Sequence, residues 1–353
     1  MRKESLEFLR SLTDTPGPSG YEQTVRAVFL HYVEQYANEV RTDVLGNAIA
    51  VRNPSGRPRI LLAGHIDEIG FQIRSVSDEG MLYFGTIGGH DPSVAAGQRV
   101  VIHTANGPVP GVLGRKAVHI LEPEERDKVP KIKDMWIDIG AKSKEDALAR
   151  VQIGDSATYD TRFLQLTDDL CMARSFDDKV GAFAVAEVLR LLHGSNIEAA
   201  IYAVATVQEE IGLRGATTST FAVNPDVGIA VDVGHSTDYP GADKRVGGDV
   251  KLGGGPMIAR GAHVHPKVFE RLREAAVERG IPYVVEAVSA GTGTDADAIQ
   301  LSRAGVAAGV VSIPLRYMHT PSEILSLTDV ENTALLLAAF CEKASAMEEW
   351  LLL

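Results

Sequence analysis

Four short, almost unbroken apolar runs, at 60–63, 199–207, 227–233 and 306–313, set the tightest limit on what this chain can fold into. They are far below the roughly 20 apolar residues needed to cross a bilayer. Without polar alternation they read as strands covered on both faces. Helical segments are predicted between most of them, at 178–192, 266–279 and 297–303. An earlier helix follows the Pro-Gly-Pro-Ser-Gly turn at 16–20, where Val25, Val28, Phe29, Tyr32 and Val33 recur at helical spacing. A last helix is predicted from the capping box Thr328-x-x-Glu331. Strands alternating with helices imply an α/β fold, a mainly parallel sheet covered by helices.

From about Phe71 to Leu166 the texture changes to short alternating strands and turn signals, such as Asp78-Glu79-Gly80 and Ala105-Asn106-Gly107-Pro108. The α/β pattern resumes near Cys171, so this segment reads as an insertion. The expected organisation is a catalytic domain over 1–70 and 166–353, with a small β-barrel-like domain over 71–165. A chain of 353 residues can bury two such cores without disulfides or structural metals.

A formal charge of -12 argues against a nucleic-acid partner, which would need concentrated Lys and Arg. The N-terminal Met-Arg-Lys-Glu-Ser-Leu-Glu acquires acids where a signal peptide would need its apolar region. Cys171 and Cys341 form no C-x-x-C pair and suit a reducing compartment as buried thiols. A cytoplasmic protein with no membrane partner is expected.

The chemistry gathers at the ends of the apolar runs. The first leads into His65-Ile66-Asp67-Glu68, the second into Gln208-Glu209-Glu210, the third into Asp232, and the last leads within six residues to His319. Asp177-Asp178-Lys179 opens a helix. Each is weak alone: His-x-Asp is more often a surface or core feature, and Asp at a helix start caps. Convergence gives them weight, because open α/β sheets place their sites at the carboxyl ends of the strands. Two imidazoles with several carboxylates and no thiolate suit a hydrolytic site for Zn²⁺ or a similar ion. One bridging carboxylate plus two further ligands per ion needs five residues, and His65, Asp177, Glu210, Asp232 and His319 are available. Glu209 is left as a general base for a water activated by two metals. Adjacent strand residues face opposite ways, so Glu209 and Glu210 share one site only if the strand has ended before them, which Gly212 and Gly215 make plausible.

Five motifs in order then resemble the tetrahedral (TET) dinuclear metallo-aminopeptidase family, whose members include glutamyl, leucyl and lysyl aminopeptidases and chains labelled endoglucanase. They are Ala63-Gly64-His65-Ile66-Asp67-Glu68-Ile69-Gly70, Ser175-Phe176-Asp177-Asp178-Lys179, Val207 to Gly215, Asp232-Val233-Gly234, and Met318-His319-Thr320-Pro321-Ser322-Glu323. The resemblance implies that Asp177 bridges two divalent ions, with His65 and Asp232 on one and Glu210 and His319 on the other. It makes Glu209 the base and Asp67 the acid that holds His65. It implies removal of N-terminal residues from short peptides with a free α-amine. The donor set itself allows zinc, the first choice, or cobalt or manganese. The inserted domain becomes a dimerisation domain, the dimers assembling into a homo-oligomeric dodecamer. The loop Gly291-Thr292-Gly293-Thr294-Asp295 resembles a segment near the substrate site. His90 departs from the family, which often has an aromatic residue there. The charge of the two ions favours a neutral or anionic N-terminal residue over a cationic one.

The rival readings are weaker. A glycosidase, or endoglucanase, would need Glu209 and Glu210 to flank a sugar about 5 to 9.5 Å apart, whereas neighbours on one backbone approach from one side. A deacylase of N-acyl amino acids could use the same metals. A metal-bound scaffold would need the ligands but no base, so Glu209 favours catalysis. Of the other histidines, His31, His193, His103, His119, His263 and His265 have surface, capping or packing roles as the simplest explanation, while His235, three residues after Asp232, is a candidate for substrate contact.

Overall fold

The four apolar runs form neighbouring parallel strands. In a computed structural model that describes residues 1–126, 128–345, 347, 350 and 351, Ala200–Thr206, Arg59–His65, Val227–His235 and Ala307–Arg316 lie side by side in that order. Ala200–Thr206 is buried along its whole length, which its lack of polar alternation requires.

Antiparallel strands extend this centre, so the eleven-stranded sheet is mixed. Ala48–Arg52 and Glu39–Thr42 flank one side. Glu323–Ser326, Leu170–Ala173 and Leu164–Gln165 flank the other. Met257–Gly261 runs antiparallel to Ala307–Arg316 and carries Val284–Val288 in parallel at its far side.

The helix Phe176–Leu191 packs directly on the central strands. A Cβ at Gly64 would lie 2.2 Å from the Gly181 carbonyl carbon, so strand and helix touch backbone to backbone there. Its regular part starts late: Asp177 and Asp178 have non-helical dihedrals, and the Asp178 carboxylate accepts from the Gly181 N–H at 3.0 Å as a cap would. Pro266–Arg279 is a helix as predicted, while the segment predicted at 297–303 is helical over Asp295–Gln300. The last helix, Leu327–Lys343, is capped differently from expectation. Ser326 Oγ accepts from the Asp329 N–H, while the Thr328 hydroxyl donates to Asp169 at 2.6 Å.

The segment after Gly70 closes into a six-stranded barrel with its own core, including Phe71, Leu82, Ile102, Leu113 and Ile137. Its strands are Gly70–Val76, Leu82–Ile87, Met135–Asp138, Gly107–Arg115, Arg99–Thr104 and Ser156–Tyr159, in barrel order. Where the chain leaves the sheet for the barrel, buried Glu68 accepts from Lys179 Nζ at 2.6 Å and from Arg174 Nε at 2.9 Å. Among the described residues no helix is long and apolar enough to cross a membrane.

Candidate metal centre

Polar residues at the carboxyl ends of the parallel strands and just beyond them meet in a cavity of about 740 Å³. His65 is the last residue of its strand. Asp232 lies beside Ser312 across the neighbouring parallel pair. His319 follows the end of Ala307–Arg316 and has a φ of 60°, left-handed for a non-glycine residue. The strand Ala200–Thr206 ends before the glutamates, and Gln208 turns the chain with a φ of 58°. That break lets both Glu209 and Glu210 line the cavity.

Asp177 stands at the centre. Its Oδ1 is 3.1 Å from His65 Nε2 and its Oδ2 is 3.1 Å from His319 Nε2. Ligand atoms of His65, Asp177 and Asp232 all lie within 4.8 Å of one another, and so do those of Asp177, Glu210 and His319. All five expected ligands are thus assembled as two trios sharing one carboxylate. Glu209 belongs to neither, with Oε2 3.8 Å from His65 Nε2.

Asp67 sits beneath them, fully buried. His65 Nδ1 is 3.1 Å from the Asp67 main-chain carbonyl and 3.6 Å from its carboxylate. Donation from Nδ1 to that carbonyl would leave the Nε2 lone pair facing Asp177. The carboxylate itself accepts the Glu209 N–H at 3.0 Å, the Glu210 N–H at 3.2 Å and the Ser19 hydroxyl. It therefore holds the chain turn that presents both glutamates as well as standing behind the histidine.

Two further carboxylates act in the same way and were not assigned from sequence. Glu323 accepts from the Asp177 N–H at 3.1 Å and the His319 N–H at 3.0 Å. Asp178 accepts from the His65 N–H at 3.0 Å. Their places inside the His319 and Asp177 motifs were the available signal, but a sequence does not say whether an acid faces a cation or a backbone N–H.

The electrostatics suit divalent cations. Burial, with Asp177 adding to it, pushes the Glu210 carboxyl up to about 9, and burial with Asp177 raises Asp232 to about 7. Glu209 is pushed up to about 9 by burial, with Asp232 and Asp295 adding to the effect against His65. Burial works against a charged His65, but Glu209, Asp177 and Asp67 together raise its pKa well above the ordinary value. Burial also raises Asp177, yet the two histidines hold it below the usual carboxylate range. Glu210 Oε1 is buried without a hydrogen bond, 3.4 Å from His319 Nε2. No lysine or arginine among the described residues lines the cavity. Closely packed carboxylates, an orphaned oxygen and no basic side chain form a donor set that fits cations.

The barrel reaches this centre through glycines. A Cβ at Gly88 would lie 2.9 Å from Glu210 Oε2, and one at Gly89 3.2 Å from His319 Nδ1. His90 belongs to the barrel packing: Nε2 is 2.8 Å from the Gly70 carbonyl, the ring packs on Phe71, and burial lowers its pKa to about 4. His235 is exposed and lines the cavity, as does the loop 291–294.

Residues 46–336 match the family described as M42 glutamyl aminopeptidase. The chain belongs to that family. It is 36% identical to the lysyl aminopeptidase of Pyrococcus furiosus over 97% of this chain and 98% of that protein. Its fold matches a TET aminopeptidase from a marine sediment archaeon, Thaumarchaeota archaeon, with a TM-score of 0.92, 38% identity and 96% of each chain covered. The TET1 peptidase of Pyrococcus horikoshii, which can assemble into a tetrahedron or a large octahedral shell, is 32% identical with a TM-score of 0.86, covering 96% of this chain and 100% of that one. This M42 enzyme is a metal-dependent aminopeptidase.

Proposed function

We propose that the enzyme removes single residues from the N-termini of short peptides, using Asp177 as the shared ligand of two divalent ions. His65 and Asp232 would complete one ion's set, Glu210 and His319 the other's. One observation carries this reading: the two oxygens of Asp177 each lie 3.1 Å from a different histidine. Two divalent ions held there would acidify a water and polarise the scissile carbonyl. Zinc is favoured by the imidazole and carboxylate donors, with cobalt or manganese able to use the same set.

Glu209 lies outside both trios with its backbone fixed by Asp67. Its carboxylate takes the proton of the attacking water and returns it to the leaving amine. Glu210 beside it acts as a ligand, and because the two share one backbone turn they cannot flank a sugar from opposite faces. Asp67, Asp178 and Glu323 hold the ligands in place through the backbone contacts described above.

The barrel carries the subunit contact in this reading. Val112, Val118, Ile120 and Val129 expose apolar side chains in that part of the chain, which a partner subunit would cover. Dimers would assemble further into a dodecamer that admits short peptides. Two free, buried cysteines fit a cytoplasmic location.

The test is a pair of peptides of one sequence, one with a free N-terminus and one N-acetylated, followed by mass spectrometry. The free peptide should shorten one residue at a time and the acetylated one should stay intact. Internal cleavage of both would make the enzyme an endopeptidase, and release of acyl groups instead would make it a deacylase.

A further inference from the structure

One acid in the cavity wall is left unused by the chemistry above. Glu286 lies in the strand Val284–Val288 and lines the same cavity as His65, Asp177 and Glu209. Sheet register explains how it arrives there. Asp232 pairs with Ser312, Ser312 with Met257, and Met257 with Val284. Paired residues share a face, and residues two apart along a strand return to it, so Asp232, Ser312 and Glu286 project from one side of the sheet. Glu286 thus stands three strand spacings, roughly 14 Å, from Asp232 at the backbone and faces the same cavity. An extended lysine or arginine side chain that meets the glutamate side chain part-way can span that gap.

Charge balance then decides what Glu286 is for. The other acids of the wall are Asp177, Glu209, Glu210 and Asp232, and two divalent cations would balance those four carboxylates. Glu286 remains uncompensated, with no lysine or arginine among the described residues lining the cavity. Burial raises its pKa, and the Ser312 hydroxyl works in the other direction. A half-buried carboxyl without a cation is costly, and a cationic guest beside it relieves the cost.

We infer that Glu286 selects peptides whose first residue is cationic, lysine or arginine, with the α-amine end at the metal centre and the ammonium or guanidinium at Glu286. This rests on the aminopeptidase reading and adds the substrate class to it. The charge of the ions alone favours a neutral or anionic residue, and Glu286 reverses that preference at the far end of the cavity.

The experiment uses the metal-supplemented enzyme with lysyl, arginyl, norleucyl, leucyl and glutamyl p-nitroanilides. Lysyl and arginyl substrates should exceed norleucyl in kcat/KM by about tenfold or more, the scale of a hydrogen bond to a charged group. Glu286→Gln should remove that advantage while norleucyl turnover stays within about threefold, which also shows that the variant folds. Glu286→Lys should move the preference towards glutamyl. Equal lysyl and norleucyl rates in the unaltered enzyme would overturn the inference. So would a uniform loss on every substrate in Glu286→Gln, which would make Glu286 an α-amine contact or a structural residue. If no substrate were cleaved, the aminopeptidase reading itself would fail, and calorimetry would still decide Glu286. Free L-lysine binding more tightly than L-norleucine to the unaltered protein, but not to Glu286→Gln, would support it, and equal binding would overturn it.

Discussion

Glu209 and Asp67 should fail in different ways when altered, because Glu209 lines the cavity and the Asp67 carboxylate faces backbone N–H groups. Glu209→Gln keeps the shape and both ligand trios but removes the proton acceptor, so kcat should fall by about 10² to 10⁴. Steady-state kinetics beside a metal assay would show the rate lost and the ions kept. The Glu209 N–H donates to one Asp67 oxygen and the Glu210 N–H to the other, and Asp67→Asn replaces one of these two acceptors with a donor. Displacing the turn should weaken metal affinity about 10- to 100-fold, the scale for partners behind a metal ligand. Metal titration of the two variants would separate the roles, and an Asp67→Asn enzyme with unchanged affinity would remove Asp67 from that part. The gathering of these residues was legible in sequence, since each candidate lies late in or just after an apolar run or opens a helix. Asp178 and Glu323 were not assigned, because their targets are N–H groups brought near only by the fold.

The elements around the centre depend on a buried ion cluster at the barrel junction. Glu68 is buried, and although burial raises its pKa, Arg174 and Lys179 lower it on balance. Its contribution is therefore present above the unfolded pKa of about 4.3 and is lost as pH falls through that value towards the lower folded one. Glu68→Gln leaves Lys179 and Arg174 buried without their anion and should cost about 3 to 5 kcal/mol near neutrality. Denaturant unfolding at several pH values, with chelator present so that metal binding does not titrate, should show the gap between variant and parent closing below about pH 4. A constant gap would mean that the loss is one of packing. The strands were readable at this scale because covered strands need unbroken apolar runs. The end of Ala200–Thr206 was readable only as a condition, that Glu209 and Glu210 share a site if the strand stops first, and the turn at Gln208 meets it. The capping box misled because Thr328 is engaged by Asp169, a residue distant in sequence.

At the scale of the whole molecule, the alternating texture after Phe71 announced a β-rich insertion. Its closure into a barrel depends on pairings such as Gly70–Val76 with Ser156–Tyr159, which no local pattern reveals. If the barrel joins subunits, light scattering at micromolar concentration should give a mass near that of a dodecamer of this 37.8 kDa chain. Paired Val118→Asp and Ile120→Asp changes should lower it, whereas a monomeric parent would remove the assembly while leaving the metal centre untouched. That centre is tested most directly by counting ions per chain, by inductively coupled plasma mass spectrometry on zinc-loaded, desalted protein. The parent and Glu209→Gln should each hold close to two ions, and Asp177→Ala, which removes both shared oxygens, should hold fewer than one with no peptidase activity. Two ions retained in Asp177→Ala, or full activity in a parent holding none, would contradict a two-ion site built on that carboxylate.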